Sequence, residues 1–98
     1  MNEKLRALLG FARKAGRLSV GTAKATESVK RGRSKLVLTA SDISAKSAKE
    51  MRFICEKHGV TTRTTTLNID EITASIGTRA GILSIEDEGF AAAVIENL

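Results

Sequence analysis

Apolar positions recur along the chain with helical and strand periods in turn. Leu5, Leu8, Leu9 and Ala12 fall at i, i+3, i+4 and i+7 with Phe11 beside them. This spacing predicts an amphipathic helix over residues 3–15, closed by Gly16 as a left-handed cap. RLSV is a short strand, and Gly21-Thr22 then opens a second helix to Arg31. That helix has a thin apolar face of Ala23, Ala25 and Val29, and Gly32 ends it. KLVLTA is a continuous apolar run, as expected of a strand covered on both faces. Ser44 is placed to cap a third helix to His58, with Ala48, Met51, Ile54 and Cys55 as its buried stripe and Gly59 as its stop. The β-branched VTTRTTT reads as an exposed or edge strand. Asn68 and Glu71 have capping-box spacing ahead of Ile72 and Ile76, with Gly77 as terminator. GILSIE is a fourth strand, and Asp87 can cap a last helix carrying Phe90, Ala91, Val94 and Leu98.

The order α-β-α-β-α-β-α-β-α predicts an α/β fold. Helices should cover both faces of a four-stranded mixed sheet, giving a three-layer α/β/α sandwich. Residues 1–98 are expected to form a single domain, with no internal repeat, linker or low-complexity segment.

Composition narrows the function classes. There is no Pro, Trp or Tyr and only three Phe, so readout of single-stranded bases by aromatic stacking is poorly supported. A lone Cys55 and a lone His58 exclude an internal disulfide and make a metal site improbable. No apolar stretch is long enough to span a bilayer and no secretory signal is visible, so a reducing cytoplasm and no membrane partner are expected. No nucleotide-binding loop or catalytic triad pattern is present, so no cofactor and no enzymatic activity are expected. Asp42 closes a strand with no His or second carboxylate near it, which fits a loop residue better than an acid catalyst. His58 falls in a last helical turn, where the dipole favours a surface cation, and Cys55 falls on a buried stripe.

Charge points to a polyanion. The net charge is +5, but residues 1–35 carry ten basic and two acidic side chains, net +8, whereas the rest of the chain is −3. The Gly21-Thr22 helix start would offer about four unpaired backbone N–H groups and a partial positive charge, the elements of a phosphate site. Lys14, Arg17 and Lys24 are expected to surround it. IGTRAG places Gly77, Thr78 and Arg79 in a second backbone-rich loop. The two segments would form one edge only if the fourth strand runs antiparallel to the first. Either could instead be a plain helix start or a plain turn. KRGRSK, at the far end of the second helix, is assigned to stability, solubility and long-range steering.

GRLSVGTAKATESVKRGRSKLVLTASD, the Cys55 of FICEKHGV and the glycine pair of IGTRAG together resemble the kink-turn-binding ribosomal protein superfamily, over nearly the whole chain. LLGFARKAGRLSVG and DEGFA are most similar to its bacterial YlxQ-type branch. The resemblance implies an α/β/α sandwich that binds sharply bent RNA. Its best-understood members follow the glycine with residues resembling Thr-Asn-Glu, and a Lys three positions beyond the Glu contacts phosphate. This chain matches at Gly21 and Thr22 but has Ala23, Lys24 and Glu27 at the other three positions. Lys24 cannot accept a hydrogen bond from a guanine edge. The expected contact is therefore directed at the RNA backbone, through Gly21, Thr22, Lys24, Lys14, Arg17 and the Gly77, Thr78, Arg79 loop. The expected partners are structured RNA, ribosomal or otherwise non-coding, and the ribosome, met by a monomer. The alternative is a protein-interaction domain of the translation machinery, whose acidic C-terminal helix with Glu86, Asp87, Glu88 and Glu96 docks a basic partner.

Overall fold

The computed structural model describes residues 2–98. Its elements are α1 (Glu3–Lys14), β1 (Leu18–Val20), α2 (Thr22–Lys30), β2 (Leu36–Thr39), α3 (Ala45–His58), β3 (Thr62–Thr64), α4 (Ile69–Ile76), β4 (Ile82–Ile85) and α5 (Glu88–Glu96). The order is the one the hydrophobic pattern predicts.

Local chemistry sets most helix limits. Ser44 Oγ accepts from the Ser47 N–H at the start of α3, and Asp87 accepts from the Phe90 N–H at the start of α5. Asn68 and Glu71 form the reciprocal capping box of α4. Gly59 and Gly77, both at positive φ, end α3 and α4 in the left-handed conformation.

The four strands lie in the order β1-β4-β2-β3. β4 pairs antiparallel with both β1 and β2, and β2 pairs parallel with β3, so the sheet is mixed. Alternation along the two central strands divides the core. Leu36, Leu38, Leu83 and Ile85 face α1, α4 and α5, packing with Leu5, Leu9, Ile72, Ile76 and Val94. Val37 and Ile82 face α2 and α3, packing with Ala25, Val29, Met51 and Cys55. The result is the three-layer sandwich, with both central strands buried on both faces.

Three details differ from the pattern-based expectation. β3 is shorter than VTTRTTT suggests. Val60 is held by the end of α3 through its N–H to Cys55 O, and Thr65 bends the chain out of the strand. The Thr65 hydroxyl donates towards Thr39 O and Leu67 O and accepts from Leu67 N–H. Ala48 and Ile54 are only half-buried, because the seam of α3 narrows to Met51 and Cys55. Leu98 lies beyond α5 and packs half-buried against the core.

One polar group interrupts the centre of the sheet. Ser84 of β4 is fully buried and faces α2. Its hydroxyl lies 2.8 Å from Ser28 Oγ and 2.7 Å from Ser34 Oγ. Ser28 and Ser34 are themselves buried, so the three hydroxyls satisfy one another away from water. Replacing Ser84 by Ala leaves its two neighbours without their shared partner. It is expected to lower unfolding stability by about 1–3 kcal/mol in urea titration.

Candidate nucleic-acid interface

The β1–α2 junction is built on Gly21. Its backbone sits at φ 96° and ψ 162°, a region open essentially to glycine alone. From there its N–H donates to Ile82 O at 2.9 Å, extending the β1–β4 pairing, while its carbonyl accepts the Ala25 N–H at 2.9 Å and begins the helix. One residue thus ends a strand and starts a helix without a connecting loop.

Among the described residues no side chain caps α2. This contrasts with α3, α4 and α5, each capped by Ser, Asn or Asp. α1 also lacks a side-chain cap, but Asn2 there is committed to Thr66 through its amide. The first-turn amides of α2, on Thr22, Ala23 and Lys24, belong to three exposed residues. They concentrate donors and the positive end of the helix dipole at one surface point.

The 77–81 loop reaches the same point. β1 pairs antiparallel with β4 in the register Val20↔Leu83, which sets Gly21 across from Ile82 and next to Gly81. The condition set by the sequence for a shared edge is therefore met. Gly81 must be small there: a Cβ would lie 2.6 Å from Ile43 Cγ2 and 3.1 Å from Ile69 Cγ1. The loop is anchored on two sides. Arg13 Nη2 donates to Thr78 Oγ1 at 3.1 Å, and Arg79 Nη1 pairs with Asp70 Oδ1 at 2.8 Å. Both partners of the second pair are largely exposed, so it is worth about 0–1 kcal/mol and can yield to a phosphate.

The cations sort differently from the sequence-based expectation. Lys24 lies in the first turn of α2 and makes no ion pair among the described residues, but it lines a cleft with Ser19, Glu27, Arg33 and Glu86 and so faces two carboxylates as well as the mouth. Arg79 is held in the adjoining loop. Arg17 is at the opposite end of β1: its carbonyl accepts the Glu86 N–H, beyond the last residue of β4. A three-residue strand separates it from Gly21, so it does not ring the α2 mouth. Lys14 occupies the exposed last turn of α1, just before this far end. Arg13, one residue earlier, is the α1 side chain that reaches the loop. Sequence reading missed it, because its link to Thr78 spans 65 residues and no local pattern announces it.

Other candidates resolve into structural roles. Asp42 Oδ1 accepts the Ile69 N–H at 2.9 Å and so helps cap α4. Burial pushes the Cys55 thiol above its ordinary value, with the Thr62 hydroxyl partly opposing the shift, so the thiol is neutral at pH 7. Arg31 pairs with Glu27 at 3.3 Å, one helical turn apart.

The model of the ribosomal protein L7Ae/L30e/S12e/Gadd45 family matches residues 3–95, and the chain belongs to that family. Among solved structures it is similar to a protein with unknown function from Bacillus halodurans C. The two share 25% identity with a TM-score of 0.85, over 94% of this chain and 97% of that one. It is also similar in fold to the Giardia lamblia 15.5kD RNA binding protein, with 20% identity and a TM-score of 0.76 over 98% of this chain and 86% of that one. No curated protein sequence matches the chain significantly.

Two glycine substitutions test the geometry of the edge. Nothing lies within 4 Å of a Cβ at Gly21, so Gly21→Ala meets only backbone strain and is expected to cost about 1–3 kcal/mol in chemical denaturation. Gly81→Ala instead meets Ile43 and is expected to cost about 1–3 kcal/mol through overpacking. Trimming the obstacle in an Ile43→Val, Gly81→Ala double variant leaves Cγ2 in place and should not restore stability, whereas Ile43→Ala should relieve the overlap.

Proposed function

We propose that the protein is a non-enzymatic RNA-binding protein that recognises folded RNA by shape, through the amides of the α2 mouth and the cations beside them. The observation that carries this reading is the uncapped start of α2 lying directly beside the 77–81 loop. Membership of a ribosomal protein family and the likeness to an RNA-binding protein of the same fold support it.

The residues at the mouth favour contact with the RNA backbone. Gly21 and Ala23 present no side-chain acceptor, and Lys24 only donates. Such a surface suits phosphate and sugar oxygens and leaves guanine donor edges only the Thr22 hydroxyl as a side-chain acceptor. Sharply bent RNA brings phosphates from two strand directions close together, so a short edge with Lys24 on one side and Arg79 on the other can hold both. A kink-turn is the bent element we propose, within ribosomal or other non-coding RNA, bound by a monomer in the cytoplasm and on the ribosome. The competing reading, an acidic C-terminal helix docking a basic protein, is weakened by the engagement of three of its four carboxylates, Glu96 alone being exposed with no partner among the described residues. Glu86 accepts from Ser19 Oγ, Asp87 caps α5 and Glu88 lies 4.0 Å from Lys35.

The test is titration of a kink-turn RNA and a straight duplex of equal length across a range of salt. The kink-turn is expected to bind more tightly, with affinity falling steeply as salt rises. Lys24→Glu and Arg79→Ala should each weaken binding and make the log–log salt dependence shallower by about one unit. Affinity unmoved by both substitutions would overturn the reading.

A further inference from the structure

β3 closes one side of the sheet, with β2 on its inner flank and, among the described residues, no strand on its outer one. Its ladder shows which backbone groups are used. Val37 N–H donates to Thr61 O at 3.0 Å, and Thr65 N–H donates to Thr39 O at 2.9 Å, in the parallel register Val37↔Thr62 and Thr39↔Thr64. Thr61, Arg63 and Thr65 therefore turn their backbone groups towards β2. The N–H and C=O of Thr62 and Thr64 point the other way, out of the sheet, and meet no backbone partner among the described residues. Unpaired donors and acceptors in a row along an open edge form a template for one more strand.

We propose that this edge receives an extended segment of a partner protein, lying antiparallel to β3 and carrying an Asp or Glu opposite Arg63. Charge selects the partner. Residues 57–69 hold Lys57 and Arg63 and no acid. Arg63 is exposed, stands between the two outward-facing threonines and makes no ion pair among the described residues. Alternation fixes where its side chain lies. Thr39 Oγ1 donates to Thr64 Oγ1 at 3.3 Å, which puts Thr64 on the face of Val37, towards α2 and α3. Arg63 then projects from the other face, on the side of Leu38. In an antiparallel ladder made by Thr62 and Thr64, the residue opposite Arg63 takes the non-hydrogen-bonded position, where Cα atoms are about 4.5 Å apart. A carboxylate there meets the guanidinium at close range on one face of the extended sheet.

The same geometry argues against a second copy of this chain as the occupant. Two β3 strands paired about a two-fold axis, so that Thr62 meets Thr64 in both directions, would set Arg63 directly against its own counterpart. Like charges directly opposite each other disfavour that pairing. The residue that attracts an acidic strand thus also suppresses self-association. The edge is separate from the candidate RNA interface. β2 and β4 stand between β3 and β1, and the α2 mouth follows β1. At roughly 4.8 Å per strand the two outer strands lie about 14 Å apart, so an acidic strand and a nucleic acid can be held at once. Docking at β3 does not depend on RNA binding.

The probe is a synthetic peptide, acetyl-Thr-Val-Glu-Val-Thr-amide, titrated to millimolar concentration into the isotope-labelled chain and followed by NMR. The control is the same peptide with Lys in place of Glu. The Glu peptide should shift the amide signals of Thr62 and Thr64 and slow their hydrogen exchange, and the Lys peptide should bind about 2- to 10-fold more weakly. Arg63→Glu, at an exposed site, should reverse that preference. Thr64→Pro removes an N–H that β2 does not use, so the sheet should form while the ring blocks the added strand and the response disappears. Should Thr64→Pro unfold the chain, the reversal of preference in Arg63→Glu decides alone. Equal response to both peptides, or shifts confined to residues away from β3, would overturn the proposal. A dimer of the wild-type chain that protects the Thr62 and Thr64 amides without any peptide would overturn it in favour of a second copy.

Discussion

The antiparallel pairing of β1 with β4 is the constraint on which the candidate site depends. Its last hydrogen bond, from the Gly21 N–H to Ile82 O, joins residues far apart in the chain and fixes where α2 begins. Were β1 parallel to β4, the helix start and the glycine loop would lie at opposite ends of the sheet. The pairing requires a backbone at positive φ that can leave a strand and enter a helix in one step, and Gly21 supplies it. Packing enforces the other side: Ile43 and Ile69 close over Gly81 and leave no room for a side chain. Neither half of the edge contains a dedicated binding side chain of high specificity. What makes the place distinctive is the convergence of backbone groups.

Charge distribution follows the same logic. Counted along the chain, the first third is strongly basic, but the folded surface is less one-sided. Towards the far end of the sheet Arg17, Arg31, Arg33 and Lys35 gather near Glu27, Glu86, Asp87 and Glu88, and Lys24 borders the same cluster. Several of these acids are paired or spent on caps, and they offset the cations locally. The α2 mouth has fewer charges but no competing carboxylate on its own first turn. A modest local field next to oriented amides can outweigh a larger, compensated cluster, because screening in salt removes distant charge first.

The fold was legible in the sequence wherever a local rule decides the outcome. The stops at Gly59 and Gly77, the cap at Ser44 and the box of Asn68 with Glu71 each depend on residues within one turn of one another. Strand identity was legible for KLVLTA, since a strand buried on both faces has no polar alternation to confuse. The placement of cations was not legible in this way. Arg17 and Gly21 are close in sequence, yet an extended strand carries them apart, whereas Arg13 and Thr78 are distant in sequence and touch. Within α3 the spacing already left Phe53 off the buried stripe, and it is exposed, whereas Ile54, on the stripe, is only half-buried because it borders a groove beside α2.

The strand order has a further consequence for biosynthesis. β4, the last strand to leave the ribosome, inserts between β1 and β2, which do not pair with each other. The two early strands therefore wait, unpaired along their inner edges, until residues 82–85 emerge. The first helix waits too, because its partners Thr66, Ser75 and Thr78 are more than sixty residues downstream. A nascent chain with this topology can pair β2 with β3 and pack α2 on α3 early, but it gains the central pairings with β4 only after most of it has been translated. A pause in translation before β4 would leave a sticky, half-made sheet exposed to its neighbours.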